Sequence, residues 1–439
     1  MTMKSFLILP LLFIAVATLA QEQDSTTVYK KRVLESTEVD FLTSYYAQDG
    51  DNAAVSGGRG TEKLTDFTPT IVVSLPLNDD DVLTVDAGIS AYTSASSSNI
   101  NPFDDSSDAD EFQASSGASS GDTWVNLNVS YSHSSDDRNK IWTAKTSVAS
   151  EFDYLSFGVG GSYAMLFNEK NTEVSVTANI YLDTWNALYP IELRSFEDGR
   201  AGLNDGLFKQ YTITGNPDYA PSFTKHDSET RNSYAIGFGF SQILSRNLQG
   251  SLALDLVRQQ GLLSTPFQRV YFSDVEDSFI QDFQLADDVE RLPDNRFKVA
   301  VGGRLNYYIN QMFVLRTYYR YYTDDWGITS NTMSVELPVK ITDKFTLYPS
   351  YRYYNQTAAD YFAGYEQHLS TEEFYTSDYD LSKFNANAYG FGISYTDIFT
   401  SFHLGKFGLK SIDLKYLYYE RNTGLTSGMI SGGFKFVVD

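Results

Sequence analysis

The sequence predicts an all-β protein, a transmembrane antiparallel β-barrel of about 16 strands with long acidic extracellular loops. Three observations favour this class. Apolar and polar residues alternate along most of the chain, short connections alternate with long ones, and 15% of the residues are aromatic although the mean hydropathy is only −0.29. One face of the segment 345–354 carries Phe345, Leu347 and Tyr351, and the opposite face carries Thr346. Successive side chains of a strand point to opposite faces, so such segments build a wall with one apolar and one polar surface.

The alternation and the turn-forming residues between segments locate the individual strands. We predict strands at 35–46, 67–77, 82–93, 122–134, 140–151, 154–168, 172–185, 231–243, 248–259, 296–308, 312–325, 329–341, 345–355, 386–397, 410–420 and 425–438. Short connections such as 78–81 and 342–344 predict tight hairpins at a periplasmic rim. The longer connections predict extracellular loops at 47–66, 94–121, 186–230, 260–295 and 356–385. The segment 186–230 is long enough to fold inward as a constriction loop or plug.

The N-terminus predicts export. Residues 1–20 have the features of a signal peptide: a positive charge at Lys4, a short apolar stretch and a small residue, Ala20, before the expected cut. We expect residues 21–34 to form a short periplasmic segment and residues 35–439 to form the barrel. An even number of strands then places both termini in the periplasm and the barrel in the cell outer membrane. The absence of cysteine excludes disulfides and thiolate metal sites.

Several long phrases of the sequence carry a resemblance to a known family. They are Tyr45-Tyr-Ala-Gln-Asp-Gly-Asp-Asn52, Gly57-Gly-Arg-Gly-Thr-Glu-Lys-Leu-Thr-Asp66, Ala91-Tyr-Thr-Ser-Ala-Ser-Ser-Ser-Asn-Ile-Asn-Pro102 and Tyr131-Ser-His-Ser-Ser-Asp-Asp-Arg-Asn-Lys140. Together they resemble an uncharacterised, domain-of-unknown-function family of outer-membrane β-barrel proteins from Gram-negative bacteria. The resemblance covers nearly all of the mature chain. It implies an outer-membrane location and a single barrel domain, and it implies no activity, substrate or site residues.

The same alternation assigns charged residues to the lumen. The basic set comprises Lys298, Arg304, Arg316, Arg320, Lys340, Arg352 and Lys415. The acidic set comprises Asp86, Glu173, Asp183 and Asp255. Because strands follow chain order around a barrel, the two sets predict a basic wall and an acidic wall on opposite sides. The arginines among the basic residues would form one ladder, solvated by water or reached by acidic residues from the loop 274–294. Alternatively, the charges pair and fill the lumen as a packed polar core.

These features favour a channel for small polar or charged solutes, because a barrel of about sixteen strands usually leaves an aqueous lumen. The alternative is a structural scaffold whose lumen or loops hold a surface lipoprotein or a periplasmic redox partner. We expect no enzymatic activity, since the four histidines lie far apart in the chain. The net charge of −23 argues against nucleic acid as a partner. The expected partners are outer-membrane lipid, lipopolysaccharide and the barrel-insertion machinery.

One short loop segment suggests a cation site. Asp49, Asp51 and Asn52 offer carboxylate and amide oxygens at a spacing that suits calcium. An EF-hand loop would continue to a glutamate about twelve residues after its start, and Glu62 lies near that offset, but the intervening residues do not match. The alternative is a solvated acidic loop. We expect no other cofactor.

Overall fold

The computed structural model describes residues 31–93, 122–197, 199–222, 225 and 228–438. Within these residues, sixteen antiparallel strands close into a ring, which confirms the predicted all-β barrel. The predicted signal peptide, most of the segment 21–34 and the acidic loop 94–121 lie outside the described residues.

The barrel strands, numbered in chain order, are β1 Thr37–Asp49, β2 Leu64–Pro76, β3 Asp81–Thr93, β4 Asp122–Ser134, β5 Lys140–Ser150, β6 Tyr154–Phe167, β7 Thr172–Asn186, β8 Ser228–Ser245, β9 Leu248–Gly261, β10 Asn295–Tyr308, β11 Val314–Asp324, β12 Thr329–Glu336 with Val339–Lys340, β13 Phe345–Leu347 with Ser350–Gln356, β14 Phe384–Thr396, β15 Phe407–Arg421 and β16 Thr426–Val438. The described connections also contain the short strands Ile213–Gly215, Arg269–Val270, Ser278–Ile280, Phe283–Gln284, Asp288–Val289 and His403–Leu404. Their helical turns are the α-helices α1 Ile191–Arg194 and α2 Gly206–Gln210 and the 3-10 helices Ala54–Ser56, Gly202–Asn204 and Tyr379–Leu381. Among the described residues, no helix is both long enough and apolar enough to cross a bilayer.

Barrel closure joins the first strand to the last. Strand β1 pairs with β2 on one side and with β16 on the other, in a register that runs from Thr37 opposite Val438 to Asp49 opposite Thr426. Each barrel strand therefore has two neighbours, and the ring has no open edge that could pair with another chain. Thr37 and Val438 lie side by side at the rim of the short turns, and the long loops lie at the other rim.

The two faces of the wall differ as the alternation predicts. Large apolar side chains such as Phe238, Leu252 and Tyr319 point away from the lumen and remain about half exposed. Inward positions are mostly small or polar. Gly158 is an example, since a Cβ there would meet Oγ of Ser147, which also faces the lumen, at 2.2 Å. An apolar outer surface on a fully paired strand ring is the arrangement that a lipid bilayer requires.

Two prolines change the predicted strands. Strand β12 is interrupted at Pro338 and β13 at Pro349, whereas the alternation alone predicts two continuous strands. Proline has no backbone N–H to donate to a ladder, so the regular pairing stops at both positions. Leu337 still donates its N–H to the Pro349 carbonyl at 3.0 Å, and the wall remains closed at this point.

Candidate functional site: the lumen and its cap

Four long loops at the rim opposite the termini fold together into one layer, which we call the cap. They are the described parts of residues 50–63, 187–227, 262–294 and 357–383. Strand Ile213–Gly215 of the second loop pairs with Ser278–Ile280 of the third, and Arg291 of the third forms a β-bridge with Tyr375 of the fourth. The segment 186–230, predicted to be long enough for a plug or constriction, thus forms part of a larger layer built from several loops.

A buried ion pair holds three of these loops together. Arg269 Nε and Nη2 donate to the two carboxylate oxygens of Glu192 at 2.7 and 3.2 Å, and neither side chain is more than 1% exposed. Arg269 Nη1 also donates to the Val55 carbonyl at 3.1 Å. Val55 lies between β1 and β2, whereas Arg269 lies between β9 and β10, halfway around the ring. Because the contact joins opposite sides of the rim, the cap spans the mouth of the barrel.

An apolar core stabilises the cap. Its buried members are Tyr189, Leu193, Phe208, Tyr219, Tyr271, Ile280, Phe283, Leu285, Ala286 and Val289. They come from the second and third loops, and Tyr365 of the fourth loop packs against them. Complete burial of one large apolar side chain contributes about 1.5–3 kcal/mol, so this core makes the cap a folded unit rather than a set of separate loops.

The cap also buries carboxyl groups. Glu290 accepts hydrogen bonds from the Thr265 N–H at 2.7 Å and from the Thr376 hydroxyl at 2.5 Å. Burial raises the pKa of Glu290 to about 8 and that of nearby Asp287 to about 7. Burial likewise raises the pKa of Asp288 to about 6. The closed cap therefore favours the protonated forms of these groups.

The basic-wall residues occupy inward positions on strands β10 to β15. Arg304 and Arg352 lie in one row across four strands, with Tyr318 and Ser334 between them, and Arg320 lies in the next row toward the cap. Neighbouring strands are about 4.8 Å apart, so the backbones of Arg304 and Arg352 are separated by about 14 Å. The arginines form a spread basic surface and not the single stacked ladder that the alternation suggests.

Several basic-wall residues have partners on the wall or at its rim. These are Arg316 with Glu336 (2.8 Å), Lys340 with Asp343 of the next turn (3.1 Å), Arg304 over the Tyr318 ring (5.1 Å) and Lys415 over the Tyr348 ring (5.5 Å). Lys298 is in register with Asp324, whose carboxylate pairs with Arg296. In the described part of the chain, Arg320 and Arg352 form no ion pair. The carboxylates of 274–294 make their hydrogen bonds within the loops and at the loop rim, and none of those in the described structure reaches these two arginines.

The acidic-wall residues lie in the other half of the ring. Their positions are Asp86 on β3, Glu173 and Asp183 on β7, and Asp255 on β9. Asp183 accepts a hydrogen bond from the Tyr154 hydroxyl. Asp255 lies beside Gly237, where a Cβ would come within 3.0 Å of its carboxylate. Asp86 Oδ1 is buried without a hydrogen-bond partner in the protein. The acidic and basic sets therefore occupy separate halves of the wall.

The residues of the suggested calcium segment make other contacts. Asp49 lies 3.8 Å from the Lys63 ammonium, and Asn52 donates its amide N–H to the Thr423 carbonyl at 2.6 Å. Asp51 is exposed. Across the described residues, no group of three or more His, Cys, Asp or Glu side chains is arranged to hold a metal ion. Calcium binding by this segment stays a prediction.

A cavity of about 670 Å³ lies between the cap and the barrel wall. Small-molecule sites in proteins commonly have volumes of about 300–1,000 Å³. Its charged lining residues are Glu62, Asp378, Asp380 and Arg421. The sequence analysis considered only Glu62 among them, as the glutamate near the EF-hand offset, and it assigned none of the four to a cavity. Only the folding of two loops onto β15 brings them together, and no local motif signals it.

The fold and the inward charges define a transmembrane β-barrel with a polar lumen and a folded cap. The chain belongs to the family described as "Protein of unknown function (DUF3570)", whose profile matches residues 9–430. This confirms the resemblance inferred from the sequence phrases. A comparison with curated proteins finds no match.

Solved structures provide distant likenesses in fold. A bacterial polysaccharide outer-membrane secretin is 9% identical, with a TM-score of 0.45 over 92% of this chain and 99% of that chain. The toluene transporter TodX of Pseudomonas putida is 9% identical, with a TM-score of 0.39 over 92% and 89%. A Pseudomonas aeruginosa FadL homologue is 10% identical, with a TM-score of 0.40 over 92% and 91%. Since all three TM-scores are below 0.5, these likenesses support no conclusion about activity.

Proposed function

We propose that the protein is an outer-membrane channel for small polar or charged solutes, with its termini in the periplasm and its cap on the outside. The observation that carries the proposal is the excess of basic residues on the lumen face of β10 to β15 and of acidic residues on that of β3 to β9, inside a closed sixteen-strand ring. Glu336 and Asp413 are the acidic exceptions in the basic half, and Lys145 is the basic exception in the acidic half. A barrel of about this size commonly encloses water, and rings or patches of charge within it select among solutes.

The cap gives this channel a gate. Because the cap spans the mouth, solute flow requires an opening of its loops or a path between the cap and the wall. The cavity under the cap lies on such a path, since barrel residues such as Tyr46 and Tyr419 and cap residues such as Phe267 line it together.

Planar-bilayer conductance with the refolded full chain tests the proposal. Substitution of Arg320 and Arg352 with Gln should lower the preference for anions, measured as the reversal potential across a KCl gradient. The effect should shrink at high salt, because ions screen the wall charges. The matched control is Arg246→Gln, which removes a positive charge from the exposed turn between β8 and β9 and not from the lumen wall.

The cap itself favours one alternative, a scaffold barrel that holds a surface lipoprotein or a periplasmic redox partner. A stable layer across the mouth fits a barrel that conducts nothing. If neither the wild type nor a variant with a disrupted cap conducts, the channel proposal fails. Co-purification of one stoichiometric partner would then support the scaffold.

A further inference from the structure

The cavity under the cap has an unbalanced charge. Three of its four charged lining residues are the carboxylates of Glu62, Asp378 and Asp380, and the fourth is the guanidinium of Arg421. Arg421 Nη1 donates to Asp380 at 2.7 Å, and its Nε donates to the Tyr419 hydroxyl at 3.2 Å. Arg421 also attracts the carboxylates of Glu62 and Asp378, but one guanidinium faces three carboxylates, so the cavity wall keeps an excess of negative charge.

The fold holds Glu62 in place without a cation. The backbone N–H of Asn52 donates to its carboxylate, and a Cβ at Gly50 would come within 2.9 Å of its Oε2. Burial, together with the charge of Asp380, raises the pKa of Glu62 to about 7. The same two causes raise the pKa of Asp378. A cation bound beside these two carboxylates would stabilise their ionised forms and lower both pKa values again.

A neutral polar residue, Gln268, lies beside one of these carboxylates. Gln268 donates from Nε2 to Asp378 at 3.4 Å, but its Oε1 is buried and has no hydrogen-bond partner in the protein. Gln268 lines the cavity beside Asp378. Gln268 thus helps to position Asp378 at the cavity wall, where the excess of carboxylates suits a ligand that supplies positive charge.

Aromatic rings complete the lining. Trp185, Phe267, Tyr46 and Tyr419 all border the cavity. The Arg231 guanidinium lies 5.0 Å from the centre of the Trp185 ring, so this ring already contacts a cation of the protein itself. Aromatic faces attract ammonium groups by about 0.5–2 kcal/mol and also provide apolar surface for the carbon atoms that surround the charge.

We propose that this cavity binds a small organic cation, an ammonium group carried on a compact apolar body. Glu62 and Asp378 supply the negative charge, and Phe267 and Tyr46 cover the apolar part. The inference names a solute class for the proposed channel. It rests on the proposed function only where it concerns transport, because binding in the cavity does not require conduction. The cavity volume admits both a bare ammonium ion and a larger amine. The negative charge and the aromatic rings therefore define the class of ligand.

Isothermal titration calorimetry on the full-length barrel in detergent tests the proposal at constant ionic strength. The probes are choline and its uncharged analogue 3,3-dimethylbutan-1-ol, which has the same shape without the charge. We expect choline to bind at least about tenfold more tightly than the analogue, a difference of about 1.4 kcal/mol. The double variant Glu62→Gln/Asp378→Asn should lose at least that factor for choline and should leave the binding of the analogue unchanged.

The control variant is Asp274→Asn, a carboxylate of the same loop layer that bonds Ser370 away from the cavity. It should bind choline as the wild type does. Equal binding of choline and its analogue, unchanged choline binding by the double variant, or no choline binding by the wild type would each overturn the proposal. If the double variant does not refold, Gly50→Ala should also weaken choline binding by displacing the Glu62 carboxylate. Conductance without choline binding would contradict this site alone, whereas choline binding without conductance would contradict the channel.

Discussion

Removal of the Arg269 guanidinium should open the cap. The variant Arg269→Met keeps much of the side-chain volume but leaves the Glu192 carboxylate buried without its hydrogen-bonded guanidinium. Breaking a buried pair in this way typically costs about 3–5 kcal/mol, because an uncompensated charge remains in a desolvated site. The Val55 carbonyl loses its donor as well. The equilibrium between closed and open cap should therefore shift toward the open form by roughly two to four orders of magnitude.

Amide hydrogen exchange on the detergent-solubilised barrel measures this shift directly. Two reporter amides lie within the cap: Phe272 donates to Asp287 at 2.8 Å, and Leu285 donates to the Ser278 carbonyl at 2.8 Å. Their protection should fall by the same factor, roughly two to four orders of magnitude, whereas amides in the middle of β7 should keep theirs. Single-channel recordings should show a larger open fraction for the same variant.

The double variant Arg269→Met/Glu192→Leu separates charge from packing. Replacement of both partners by apolar residues of similar size is often neutral, so protection in the cap should largely return. Asp343→Asn is the matched control, because its pair with Lys340 is exposed at the opposite rim. Unchanged cap protection in Arg269→Met would refute the conclusion that this ion pair holds the three loops together.

Three further outcomes are expected. Val335→Arg should reduce insertion into lipid vesicles, at a cost of about 2–4 kcal/mol near the bilayer midplane, whereas Ser334→Arg on the lumen face of the same strand should insert normally, as heat-modified gel mobility can show. Glu290→Gln should stabilise the cap at alkaline pH, as hydrogen exchange can measure, because Gln does not ionise. In the wild type, the raised pKa of Glu290 contributes stability that is complete below pH 4.5 and is lost as the pH rises through about 8. If the acidic loop segment binds calcium, the ion should raise the melting temperature, EDTA should reverse the rise, and Asp49→Asn/Asp51→Asn should abolish both effects.

The barrel was predictable because its signal is local and repeated. A segment such as β16 shows its two faces directly in the sequence, and the turn residues between strands set the strand boundaries to within a few residues. The interruptions at Pro338 and Pro349 could also have been anticipated from the missing N–H groups. The alternation pattern does not show a missing backbone N–H, because it depends only on which side chains are apolar and which are polar.

The cap was not predictable in this way. Its buried pair joins Glu192 to Arg269, and its cavity joins Glu62 to Asp378 and Arg421, across separations that no local pattern encodes. Residues of loops 187–227 and 262–294 become buried only because the two loops cover each other. The sequence identified these segments as long and partly acidic, which is also typical of solvated loops, so their shared core remained hidden.

The pairing of β1 with β16 has a consequence for how the molecule is made. Thr37 and Val438 are adjacent in the ring but lie 438 − 37 = 401 positions apart in the chain. Contacts with such large sequence separation form late and slow folding. Until the final strand is delivered, β1 exposes a row of unpaired N–H and C=O groups that can template aggregation. A ribosome that stalls before the last hairpin therefore yields a polypeptide with two open strand edges. Those two edges can pair with other chains, a hazard that only the complete ring removes.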